Sequence, residues 1–123
     1  MAMTREEVTP QSVREEISRE ILRVHDEAYG ETAREAKVFV IDDIALVVID
    51  AEPTISERTL IDAGHGDAVV DTREAYQEAI APTFTAIVER ATGRRVTSFS
   101  SRLSIEPMYS VEFFRLESEN AAA

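Results

Sequence analysis

Apolar residues recur at helical spacing early in the chain. Val13, Ile17, Ile21, Val24 and Ala28 lie four, four, three and four residues apart, which predicts one amphipathic helix. Two starts compete for it. Ser12-Val13-Arg14-Glu15 reads as a capping box, and Thr9-Pro10 offers a cap with proline at the first helical position. Gly30, after Tyr29, is a natural stop. His25 falls at the edge of the stripe and is expected half-exposed.

The pattern then shortens. After a polar link over 31–35, Lys37-Val38-Phe39-Val40-Ile41 and Ile44 to Ile49 are rich in β-branched residues and read as two strands. Asp42-Asp43 fills the two-residue gap of a hairpin turn. A short helix follows over Ser56–Asp62, capped by Thr54 or Ser56, and Gly64-His65-Gly66 breaks it. Asp67 is the expected cap of a long helix to about Ala91. Its stripe is Val69, Arg73, Tyr76, Ile80, Phe84, Ile87 and Ala91, with Pro82 expected to kink or split it. Val96–Leu103 and Tyr109–Leu116 alternate as a second strand pair. The order is α-β-β-α-α-β-β, an α+β fold with two hairpins in an antiparallel sheet. Residues 11–116 form the single domain, with disorder expected over 1–10 and 117–123.

Composition narrows the function. The chain has 123 residues, enough for one domain with its own core. Acidic residues number 24 and basic residues 13, a net charge of −11 that argues against nucleic acid or anionic membrane as partner. Lys37 is the only lysine. Arginine bias with an acidic excess suits a high-GC genome and would also suit a salt-adapted source. Cysteine is absent, which excludes disulfides, thiol catalysis and cysteine-held metals. The opening residues lack the apolar core of a signal peptide, and the longest apolar run, Ile44–Ile49, is far short of the roughly 20 residues of a membrane span. A cytoplasmic protein is the expectation.

Few residues carry candidate chemistry. Asp42 and Asp43 could form a carboxylate pair for an ion or for acid/base work, although turn chemistry is the favoured explanation. Arg73, a charge on an apolar stripe, points to a buried ion pair or to recognition of a small anion. His65 sits in a glycine-flanked loop before a helix and is a second candidate for anion or partner contact. The serines between Ser98 and Ser104 have no matching His-Asp partner, and no phosphate-binding or dinucleotide loop is present. No metal or cofactor is expected.

Several segments together carry a resemblance. They are Ile17…Ile21 ending in Tyr29-Gly30, Val40-Ile41-Asp42-Asp43-Ile44, Pro53-Thr54-Ile55-Ser56-Glu57-Arg58-Thr59-Leu60, Arg73, Thr92-Gly93-Arg94-Arg95-Val96 and Val111-Glu112-Phe113-Phe114-Arg115-Leu116. In this order they resemble the MpsC-like family of bacteria and archaea, over about Gln11–Leu116. The resemblance implies a link to sodium-translocating, membrane-potential-generating systems tied to inorganic-carbon supply, and it carries no catalytic residues with it. Three functions are therefore expected in descending order. The first is a non-enzymatic accessory protein working through protein contacts, with a membrane-protein complex as possible partner. The second is a bicarbonate-like anion module anchored by Arg73. The third is a small enzyme using Asp42, Asp43 and His65. The first hairpin is apolar on both faces, so a homodimer through the sheet is also expected.

Overall fold

The computed structural model describes residues 9–119. Its elements run α1 (Pro10–Tyr29), β1 (Ala33–Ile41), β2 (Ile44–Ala51), α2 (Ile55–Asp62), α3 (Gly66–Thr92), β3 (Val96–Ile105) and β4 (Met108–Leu116). The expected α+β order holds. The two hairpins join through their second strands into one antiparallel sheet, in the order β1-β2-β4-β3.

Local chemistry sets the ends of these elements. Thr9 caps α1 with Pro10 behind it, so the second of the two expected starts is the one used. Thr9 Oγ1 accepts from the Ser12 amide at 3.0 Å and Ser12 Oγ accepts from the Thr9 amide at 2.8 Å. Thr54 caps α2 through the equivalent exchange with Glu57. β1 begins at Ala33, inside the expected polar link, because β2 runs to Ala51 and its inner end needs a partner. α3 begins at Gly66 rather than after Asp67, with His65 at its cap position. A Cβ on Gly66 would stand 3.0 Å from Ile105 Cδ1, so a glycine suits this close approach. β3 and β4 meet at a turn containing a cis Glu106-Pro107 bond. Of the ends expected to be disordered, Pro10 is helical, Thr9 caps it, and Glu117 is held by its amide on the Arg95 carbonyl at 2.7 Å. Residues 1–8 and 120–123 lie outside the described residues.

Both long helices lie on the same face of the sheet. Ile17 and Ile21 of α1 and Phe84, Ile87 and Val88 of α3 pack on Ala45, Val47, Ile49, Phe114 and Leu116. Ser18 Oγ donates to the Ala36 carbonyl at 3.0 Å and ties α1 to β1. The register puts Phe39, Leu46 and Phe113 in one row on the other face, with Val48 and Val111 in the next. Ile41 and Phe39 there remain 64% and 46% exposed. Among the described residues no helix is long and apolar enough to cross a membrane.

Pro82 neither splits nor ends α3, which is assigned as one helix of 27 residues. The proline is exposed, so its ring meets the preceding turn on the solvent side and the buried stripe is undisturbed. Pro82→Ala restores a helical amide and should raise stability by about 1–2 kcal/mol, the lost proline rigidity of the unfolded chain offsetting part of the gain. Urea unfolding followed by helical circular dichroism measures it, and no gain would mean that the backbone at Pro82 is already relaxed.

Candidate functional site

Polar side chains are concentrated between the helices and the sheet. Arg73 stands on the inward stripe of α3 and is 3% exposed. Its Nε donates to Glu57 Oε2 at 2.6 Å and its Nη2 to Glu57 Oε1 at 2.7 Å, a bidentate pair. The guanidinium carbon lies 3.7 Å from the centroid of the Tyr29 ring, a cation–π contact. His25 and Tyr76 pack against the same ring, with centroids 4.8 and 5.4 Å away. Glu57 Oε1 also accepts from the Thr54 amide at 2.8 Å. One carboxylate thus caps α2 and neutralises a buried charge on α3.

Surroundings set the ionisation of these groups. Burial pushes the Glu57 carboxyl up, but hydrogen bonds from Arg73 and Thr54 outweigh it, and the net direction is down. His25 is buried rather than half-exposed as expected, since it continues the line Ile17–Ile21 one turn further and faces the Arg73 cluster. Burial first, then the Arg73 charge, lowers its pKa to about 4, so it is neutral at pH 7. Burial raises the Tyr29 phenol to about 12.

A second polar group lies deeper. Glu112 of β4 is 1% exposed, and Gln77 of α3 donates from Nε2 to its Oε1 at 3.5 Å. Burial raises its pKa, while the nearby Ser101 and Ser110 hydroxyls favour the charged form. Among the described residues, Glu112 Oε2 and Ser101 Oγ nevertheless have no hydrogen-bond partner of good geometry. Sequence periodicity missed Gln77 because the stripe passes through Tyr76, which is exposed. The parity of β4 contained the signal for Glu112, two residues from Phe114 and four from Leu116 on the inward side.

The other sequence candidates are dispersed. Asp42 takes positive φ, 52°, in the β1–β2 turn, and its carbonyl accepts from Arg94 Nη1 at 2.7 Å. Asp43 Oδ2 accepts from Arg115 Nε at 3.1 Å. Both residues line an open cleft of about 590 Å³ between the start of α1, the end of α3 and this turn. His65 is exposed at the start of α3, the other end of a helix roughly 40 Å long, so Asp42, Asp43 and His65 are not brought together. His65 and Arg73 are also separated, by about 12 Å along the helix axis. An anion at Arg73 would compete with Glu57 for Nε and Nη2. Among the described residues no group of three His, Asp or Glu side chains could hold a metal ion.

Two outcomes test this cluster. Arg73→Ala leaves Glu57 without its buried partner and should cost about 3–5 kcal/mol in urea unfolding, with Arg73→Lys recovering only part because the fork and the stacking are lost. Acid should also act through His25. Its folded pKa is depressed, so the stability it contributes is present above 6.5 and is lost as pH falls toward 4, by up to about 3 kcal/mol. Thermal melts of His25→Phe and the wild type over that range should diverge. Parallel curves would show that His25 does not titrate in this window.

The chain matches no curated protein and no solved structure. Residues 9–118 match the family described as Na+-translocating membrane potential-generating system (MpsC). That match spans both hairpins, all three helices and the polar cluster between them, and the chain belongs to the MpsC family.

Proposed function

We propose that this chain is a cytoplasmic, non-enzymatic accessory protein of a sodium-translocating, membrane-potential-generating system tied to inorganic-carbon supply, and that it works through protein contacts as a two-fold dimer. The family match supports the system. The observation that carries the mode of action is the open face of the sheet, where Phe39 and Ile41 stand in solvent beside half-buried Leu46, Val48, Val111 and Phe113. By contrast, the best-placed cation of the interior, Arg73, is already matched by Glu57.

Burying a side chain such as Phe39 or Ile41 stabilises an interface by roughly 1.5–3 kcal/mol, and a contiguous patch of this kind marks a contact surface. The face also carries both signs of charge, Lys37 and Arg102 against Glu35 and Asp50, so a second copy can oppose unlike charges. Sheet-on-sheet stacking about a two-fold axis covers both copies at once. Such a dimer leaves the acidic helical surfaces outward, free to meet the membrane-embedded partner.

Light scattering after gel filtration should give twice the 13.7 kDa chain mass. Phe39→Asp with Phe113→Asp should return it to the single-chain mass with helical content unchanged. A wild-type mass of one chain at micromolar concentration removes the dimer. Photo-crosslinking from exposed Glu74 on α3 in native membranes should capture a subunit of an ion-translocating complex, and capture of soluble enzymes alone would remove the accessory role.

A further inference from the structure

Glu112 stands apart from the rest of the polar interior because, among the described residues, no cation is paired with it. The groups around it come from every element packed there. From α3 come Gln77, an amide, and Arg73, whose charge is matched by Glu57 of α2. From α1 come Tyr29, a phenol, and His25, neutral at pH 7. β4 adds Ser110, and the cross-strand neighbours are Ser101 on β3 and Val47 on β2. An ionised carboxylate here would be a charge out of water with no cation beside it, supported only by neutral groups, the Gln77 amide at 3.5 Å and the Ser101 and Ser110 hydroxyls, against which burial still prevails. A proton removes that charge and supplies a donor between Glu112 Oε2 and Ser101 Oγ, two buried atoms on directly paired residues that have no other partner among the described residues.

We propose that Glu112 is a buried proton-binding site: its carboxyl is protonated at neutral pH and donates from Oε2 to Ser101 Oγ, and removal of that proton in alkaline solution loosens α3 from the sheet. The step is a simple acid dissociation, Glu112 giving its proton to hydroxide and becoming a carboxylate. The sign follows from linkage. A carboxyl raised by folding contributes stability that is complete below its unfolded pKa and is lost as pH rises through its folded one. The inference does not depend on the accessory role or on the dimer.

The test compares the full chain with Glu112→Gln, a neutral isostere, in thermal melts from pH 5 to 9, each in sodium, potassium and choline chloride at equal concentration. The wild type should lose melting temperature relative to Glu112→Gln as pH rises, equally in the three salts. At pH 7 the wild type should also show an infrared band of a buried protonated carboxyl that Glu112→Gln lacks. A gap between the two proteins that stays constant across the range would overturn the proposal. So would an alkaline stabilisation of the wild type specific to one metal cation, because a bound ion would then stand where the proton is placed. If Glu112→Gln does not fold, carboxyl carbon NMR of the wild type decides alone: a Glu112 signal ionised at pH 7 refutes the site, and a protonated one supports it.

Discussion

The Arg73–Glu57 pair is the constraint on which the helical layer depends. A guanidinium at 3% exposure is tolerable only with a carboxylate in bidentate contact, and that carboxylate comes from the first turn of a different helix. Glu57 reaches it because Thr54 fixes the start of α2, and the same oxygen that accepts from Thr54 accepts from Arg73. Tyr29, the last residue of α1, lies against the guanidinium. Three helices are therefore positioned by one ion pair and one ring. The capping box of the short helix and the lone arginine on the long helix, separate features along the chain, are one structural unit.

Most of the architecture could be read from spacing. The apolar stripes of α1 and α3 and the alternation of the hairpins give the elements and their order, because burial on one side imposes its period on the sequence. Arg73 could be singled out for the same reason, as a charge where the period demands an apolar residue. Its partner could not, since Glu57 is one acid among many and only the path of α2 brings it near. His25 and Gln77 were hidden for a related reason, whereas Glu112 could have been found from the inward parity of β4. Each of the first two is a polar residue in a buried register, and a reading that follows apolar residues steps over it to the nearest apolar neighbour, Val24 or Tyr76. The strand order β1-β2-β4-β3 lay beyond local pattern because it is decided by pairing between the hairpins.

The two faces of the sheet divide its chemistry. Beneath the helices it carries Ser110, Glu112 and Ser101 among large apolar side chains, so helix packing there must satisfy polar groups as well as exclude water. The opposite face asks nothing of the helices, and its two central strands present Leu46, Val48, Val111 and Phe113 there, with Lys37 and Arg102 on the outer strands. The helical side accordingly fixes one internal arrangement, while the other side carries no helix and is free for the contact proposed above.

The sheet is also guarded along its margins. β1 and β3 are the outer strands, and each shifts register near its start, between Ala33 and Glu35 and between Val96 and Ser98. A bulge at such a place twists the free backbone away from a straight line of donors and acceptors, which hinders strand-by-strand addition. With lateral growth hindered, the proposed two-fold dimer would meet broadside, through the one sheet face that the helices leave open. A dimer made that way would be self-limiting, because the bulges hinder growth of the sheet into a ribbon.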